Sequence, residues 1–168
     1  MRLTLRTNLA SRVLMFCAVN DGRTVRTAEI AERCNASLNH LLQVVSMLQA
    51  SGFVATQRGR TGGLRLALPM EAISLGAVFR VFESDLPFAE CFDPATNTCP
   101  LAWNCRLKAY IARALEAFYD EMDSVTLADL VRGNCGLAGL LELPGRMGAT
   151  CPNRQGPAGT EHERGRPN

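Results

Sequence analysis

Ser37-Leu-Asn-His-Leu-Leu-Gln-Val-Val-Ser-Met-Leu-Gln-Ala-Ser-Gly-Phe-Val-Ala-Thr-Gln-Arg-Gly-Arg-Thr-Gly-Gly-Leu-Arg-Leu-Ala-Leu68 is the run that decides the fold. Its first part has helical period. Ser37 stands where a helix cap belongs, and Leu38, Leu41, Leu42, Val45 and Leu48 fall on one face. Gly52 follows in the position that ends a helix. The period then changes to two. Phe53–Gln57 reads as a strand, Arg58–Gly63 as a glycine-rich turn, and Leu64–Leu68 as the return strand, stopped by Pro69. A helix followed at once by a hairpin with arginines at its tip predicts a reading helix and a wing.

The residues before this run complete the unit. Thr7 or Asn8 is expected to cap a first helix that runs to about Asn20, with Leu9, Val13, Phe16 and Cys17 as its apolar stripe; Asp21-Gly22 breaks it. Thr27 is expected to cap a short second helix, Ala28 to Arg33, with Glu29 in the first turn, where the helix dipole favours an anion. Cys34-Asn35-Ala36 is the tight turn that leads into Ser37. Short helix, tight turn, capped helix and basic hairpin make a winged helix-turn-helix. The fold class is therefore mainly α with a small β-hairpin.

Charge agrees with a nucleic-acid face. Residues 1–70 hold nine arginines against Asp21, Glu29 and Glu32, a balance of +6, whereas residues 71–168 balance to −4. The basic half has no lysine. Arginine is the better residue for forked contacts to phosphate and guanine. On the reading helix, Ser37, Asn39, His40 and Gln43 are the candidate DNA-binding residues. Asn39 and Gln43 carry amides suited to bidentate contact with adenine, and Ser37 lies at the phosphate-binding end. Arg58 and Arg60 on the wing, and Arg12 on the first helix, join them as DNA-binding candidates.

A second constellation follows the wing. Ser74 is expected to cap a fourth helix, Leu75–Glu83. Next comes a loop, 85–104, that reads Cys91-Phe-Asp-Pro-Ala-Thr-Asn-Thr-Cys99-Pro-Leu-Ala-Trp-Asn-Cys105 through to the start of a long helix. That helix runs from about Cys105 to Asp123, with Leu107, Tyr110, Ile111, Ala114, Leu115, Phe118 and Met122 on its packed face. Thr126-Leu-Ala-Asp-Leu130 starts another short helix. Three thiolates on one loop point to a soft metal centre. Zinc prefers four donors and CxxC pairs, and the chain's two histidines, His40 and His162, lie in the reading helix and the tail. An iron–sulfur cluster tolerates this irregular spacing and fits better; reactive cysteines without metal are the other reading. Cys17 and Cys34 read as packing residues, Cys135 as a more distant candidate for the cluster, and Cys151 as a free thiol in the tail.

The organisation is then 1–70 as the DNA-binding region, 71–143 as the cysteine loop and long helix, and 144–168 as a disordered tail rich in Gly, Pro and Arg. Among 168 residues there are seven cysteines, no secretory signal and no apolar run long enough to span a bilayer, so a cytoplasmic protein with reduced thiols is expected. No paired catalytic acids, nucleophile–histidine pair or phosphate loop is present, so no enzyme is expected.

Several stretches carry a specific resemblance. They are Met1-Arg-Leu-Thr4, Ser37-Leu-Asn-His40, Gly52-Phe-Val54, Arg58-Gly-Arg-Thr-Gly-Gly-Leu-Arg-Leu66, the three-cysteine loop, Cys105-Arg-Leu-Lys108 and Thr126-Leu-Ala-Asp-Leu130. With these pieces, over about residues 1–143, the chain resembles the Rrf family of winged-helix regulators, and within it the members that sense nitric oxide. The resemblance implies a homodimer built on the long dimerisation helix. It implies a 4Fe–4S cluster on Cys91, Cys99 and Cys105, with 2Fe–2S as the alternative. It also implies repression of nitric-oxide-detoxification genes at a double-stranded DNA operator, relieved when nitric oxide attacks the cluster. A regulator of cluster assembly or redox stress, responding to oxygen or cluster supply, is the other function this family offers. In such proteins an aspartate near the start of the first helix, donated by the partner subunit, supplies a fourth ligand. The matching residue here is Asn8, a neutral and weaker donor. Asn8 itself, Asp93, Glu90, solvent or an open iron are the alternatives for that position, and a capping role is the alternative for Asn8.

Overall fold

The computed structural model describes residues 3–57, 59, 62–83 and 87–144. Arg58, Arg60, Cys151, His162 and the tail from residue 145 onward lie outside the described residues. Seven α-helices and one hairpin appear among them: α1 (Leu5–Val19), α2 (Thr27–Arg33), α3 (Leu38–Ala50), β1 (Val54–Gln57), β2 (Gly63–Leu66), α4 (Leu75–Glu83), α5 (Arg106–Ser124), α6 (Leu127–Val131) and α7 (Cys135–Leu141). Single 3₁₀ turns sit at Met70–Ala72 and Glu90–Phe92.

Helix α1 is the centre of the molecule. It is apolar on nearly every side, with Leu9, Ala10, Val13, Leu14, Phe16, Cys17, Ala18 and Val19 buried. A helix of that kind belongs inside a core. It packs on α3, α4, α6, α7 and β2. One hydrophobic core therefore runs from the helix-turn-helix through α4 to α6 and α7.

Its start differs from the sequence expectation. Thr4, not Thr7 or Asn8, is the cap. The Thr4 hydroxyl accepts the Thr7 N–H at 3.2 Å, and the Thr4 N–H donates to Glu83 Oε1 at 2.8 Å. Thr7 Oγ1 also donates to Glu83. The carboxylate at the end of α4 thus anchors the first turn of α1 and lets it begin earlier. Asn8 already donates its backbone N–H to the Thr4 carbonyl at 3.2 Å, as a helical residue does. The capping reading of Asn8 is thereby corrected. Thr27 is likewise the first residue of α2 rather than its cap; Arg26 takes that place, its N–H donating to Glu29 Oε2 at 2.7 Å.

The wing forms as expected. Strands β1 and β2 pair antiparallel, Val54 with Leu66 through Gln57 with Gly63. Val25, between α1 and α2, adds a bridge to Leu64, with N···O distances of 2.9 and 2.7 Å. A Cβ at Gly63 would overlap the Val25 carbonyl, so glycine permits this close approach. At the tip, Gly59 has φ of 114° and its carbonyl accepts the Gly62 N–H at 2.9 Å.

Helix α4 has the bounds read from the sequence, and the Ser74 hydroxyl accepts the Ala77 N–H at 3.3 Å. It lies against the C-terminal half of α5, where Phe79 stacks on Phe118 at 6.2 Å between ring centroids. Arg80 and Asp123 close the contact at 2.5 Å. The N-terminal half of α5 has no such support. Leu107 and Tyr110 are 66% and 65% exposed. Helix α7 was absent from the sequence reading. Asn134 caps it, accepting the Leu137 N–H at 3.1 Å, and Leu141 buries its end. Among the described residues no helix is long and apolar enough to cross a membrane.

Candidate DNA interface and cysteine loop

The reading helix α3 seats its Leu41, Val44, Val45 and Leu48 in the core. This corrects the sequence expectation in one respect. Leu38 and Leu42 do not join that face; they are 44% and 51% exposed. The buried arc centres on residues 41 and 48, so positions 38 and 42 fall on its flank. Ser37 occupies the cap position, but its side chain makes no capping hydrogen bond. Asn39, His40 and Gln43 are all exposed on this helix. His40 and Gln43 also line a cleft of about 470 Å³ with Arg6, Leu9, Met47 and Phe82. The helix therefore presents its predicted polar residues together, at its N-terminal end, where such helices meet base edges.

Arg12 has a role that its charge did not reveal. It is half-buried, and its Nη1 donates to the Cys34 carbonyl at 3.0 Å. Cys34 ends α2, and Asn35 beside it adopts φ of 47°. One arginine donor thus ties the helix-turn-helix turn to α1. Burial pushes the Cys34 thiol up, against the opposing charge of Arg12. Cys17 is buried in α1, and burial pushes its thiol up to about 12. Both match the packing roles expected of them.

The cysteine loop is folded by its own acids. Glu90 Oε1 accepts both the N–H and the hydroxyl of Thr98 at 2.6 Å. Asp93 accepts the Ala95 N–H at 2.9 Å and the Thr96 hydroxyl at 2.8 Å. These bonds hold each carboxyl below its usual range. Asn97 Oδ1 accepts the Cys99 N–H at 3.0 Å. Both acids considered as a fourth ligand, Glu90 and Asp93, are therefore engaged in shaping the loop.

Cys91, Cys99 and Cys105 are free and half-buried. Cys91 and Cys99 line one cavity of about 420 Å³ with Pro94, Trp103 and Lys108. Cys105 is the cap of α5, its Sγ accepting the Lys108 N–H at 3.4 Å. Lys108, the chain's sole lysine, places its ammonium 5.7 Å from the Phe92 ring centroid. Sequence reasoning had Lys108 only within the Cys105-Arg-Leu-Lys108 resemblance and missed its place at the loop, although its spacing of three from Cys105 is the signal of a cap contact. Among the described residues no three His, Cys, Asp or Glu side chains converge to metal-binding distance. The donor set is nonetheless of the kind that suits iron–sulfur ligation: three free thiols on one loop, two at one cavity and the third beside a residue that lines it. Asn8 is exposed on α1, beside Leu3, Thr4 and Leu5.

Comparison with known proteins gives the family. The model of the Rrf2 family, described as an iron-dependent transcriptional regulator, matches residues 3–133. The chain is 39% identical over 144 residues to the HTH-type transcriptional regulator NsrR of Bacillus subtilis, covering 85% of this chain and 99% of that one. It is 40% identical over 143 residues to protein aau3 of Rhizobium meliloti, covering 85% and 93%. Among solved structures, the oxidised form of Staphylococcus aureus CymR is similar at a TM-score of 0.60 and 27% identity, over 77% of this chain and 95% of that one. T. potens IscR is similar at a TM-score of 0.60 and 25% identity, over 77% and 85%. The resemblance read from the sequence is borne out: the chain belongs to the Rrf2 family of transcriptional regulators.

Proposed function

We propose that this regulator is a homodimeric repressor of the cytoplasm that senses nitric oxide through an iron–sulfur cluster, 4Fe–4S or 2Fe–2S, and loses DNA affinity when the cluster is nitrosylated. The observation that carries the reading is the loop between α4 and α5, with its three free cysteines, two of them at one cavity. The likeness to NsrR at about 40% identity supports the choice of signal. Cys91, Cys99 and Cys105 would hold the cluster, with Asn8 of the partner subunit as a weak fourth donor or with that position open. When bound, the cluster supplies iron that nitric oxide attacks.

The chain's own residues then transmit the loss. Cys105 caps α5, so the state of its sulfur bears on the first turn of the long helix. Glu83 ends α4 just before the loop and holds the first turn of α1. The loop is thus tied at one end to the helix that carries the dimer and at the other to the helix that centres the DNA-binding unit. Half-sites about one helical turn apart, ~34–36 Å, tolerate little change in the spacing of two reading helices. Asn39 and Gln43 would meet the bases and Ser37 and His40 the phosphates, with Arg58 and Arg60 on the backbone or in the minor groove; Arg12 would act beside them by holding the helix-turn-helix turn.

The test is anaerobic purification with an absorption spectrum and iron and sulfide analysis. The reading predicts a coloured protein that loses its cluster when Cys91, Cys99 or Cys105 is replaced by alanine but keeps it in Cys17→Ala. A colourless protein, or equal iron in all four variants, would overturn it. The family's iron-dependent description favours a second reading, in which oxygen or cluster supply is the signal. Exposing the protein separately to nitric oxide and to oxygen decides between them by which one bleaches the spectrum first.

A further inference from the structure

Helix α3 exposes two leucines that the fold leaves without a partner. Leu41 and Leu48 on the same helix are fully buried, yet Leu38 and Leu42 are 44% and 51% exposed. Each stands directly before an exposed amide: Leu38-Asn39 and Leu42-Gln43, a tandem repeat with a spacing of four. That spacing is one helical turn, so the two pairs stack on one side of the helix, about 6 Å apart along its axis. Gln49, seven residues beyond Leu42, shares the leucines' edge and accepts the Thr56 hydroxyl on β1 at 2.9 Å. The leucine edge therefore faces the wing side, and the amides face outward beside it.

We propose that Leu38 and Leu42 read thymine C5-methyl groups in the major groove, each beside an amide that reads adenine. This rests on the DNA-reading role proposed above and deepens it. An A·T pair offers the major groove an N7 acceptor and N6 donor on adenine and an apolar methyl on thymine. An amide beside a leucine matches that mixed surface. A G·C pair offers no methyl for the leucine to cover. Base pairs rise ~3.4 Å each, so a repeat of about 6 Å addresses pairs roughly two steps apart. The occupant is assigned to DNA because the patch lies at the N-terminal end of a winged-helix reading helix, in a half of the chain with nine arginines against three acids.

The test uses the full chain, purified anaerobically with its cluster. Duplexes selected from a random pool give the preferred half-site. Each thymine in it is then replaced singly by deoxyuridine, which removes only the methyl group. At one or two thymines per half-site the wild-type protein should lose affinity by about fourfold, the worth of one buried methyl. Leu42→Ala or Leu38→Ala should bind the thymine duplex more weakly and no longer distinguish it from the deoxyuridine duplex at its own position. A wild-type protein indifferent to every replacement would overturn the inference, as would leucine variants that keep the wild-type profile. Because the first arm needs no variant, misfolding cannot hide the result. Failure to select any sequence would overturn the DNA-reading function, and this inference with it; selection of a site that is blind to deoxyuridine overturns this inference alone.

Discussion

Asn20 is wholly buried at the end of α1, and each side of its amide is used. Its Nδ2 donates to the carbonyls of Phe16 and Leu141, at 2.9 and 3.0 Å, and its Oδ1 accepts the Leu143 N–H at 3.0 Å. It ties the last described turn of the chain to the helix that leads into the helix-turn-helix. Asn20→Ala takes this partner from the Leu141 carbonyl and the Leu143 N–H, whereas the Phe16 carbonyl keeps the backbone N–H of residue 20; it should destabilise the protein by about 2–4 kcal/mol. Thermal melting reads the loss, and hydrogen exchange should rise first at residues 137–143; unchanged protection there would contradict the tether. From sequence, Asn20 was only the residue before a break, because Leu141 and Leu143, which it ties in, lie more than a hundred positions away. Cysteine chemistry was easier to read. The apolar spacing of α1 placed Cys17 inside, and burial indeed pushes its thiol up to about 12. In protein freed of the proposed cluster, an alkylating reagent at neutral pH should label Cys91, Cys99 and Cys105 in the native state and reach Cys17 only on unfolding. Labelling of native Cys17 as fast as Cys99 would show that the core is not closed.

At the scale of elements, the contact of α4 with α5 has the most to test. A Cβ at Gly76 would overlap Asp123, side chain and backbone N–H alike. Gly76→Ala should therefore force the helices apart and cost about 1–3 kcal/mol, read as a lowered melting temperature. Asp123 itself accepts from Arg80, which holds its carboxyl below the usual aspartate range, with Ser74 a smaller contributor. A depressed carboxyl stabilises the fold fully above its unfolded value and loses that contribution as pH falls through its folded value. The melting temperature of the wild type should thus fall more steeply on acidification than that of Asp123→Asn; parallel profiles would remove the pair from the account. Asp123 is exposed, so the difference will be small. The bounds of α4 and α5 were legible because caps, period and a long apolar face agreed. Helix α7 was not: it is seven residues long, carries Gly136 and Gly139, and owes its order to the buried Leu141 rather than to propensity. The early start of α1 was hidden for a similar reason, since Glu83 lies 79 residues from Thr4.

For the whole molecule, the described chain leaves one long helix half unsupported. Leu107 and Tyr110 on α5 are exposed, at the end that adjoins the cysteine loop. In the proposed two-fold dimer a partner's α5 would cover them. Leu107→Glu with Tyr110→Glu should yield monomers in sedimentation and weaken binding to a two-half-site operator by about 100-fold or more, because the second half-site is then no longer held nearby. A dimer that survives both changes would place the interface elsewhere. The order of parts (reading helix, wing, cysteine loop, long helix) was fully legible in the sequence, since each part has its own residue pattern. How the loop is held was not, because the bonds of Glu90 to Thr98 and of Asp93 to Ala95 depend on folded geometry. In the proposed mechanism this loop governs DNA binding. One measurement addresses it directly: the affinity of the anaerobic, cluster-loaded protein for its selected operator, titrated before and after nitric oxide. The account predicts tight binding that is lost on exposure, in step with bleaching of the cluster's absorption. Equal binding before and after, with the cluster destroyed, would contradict it.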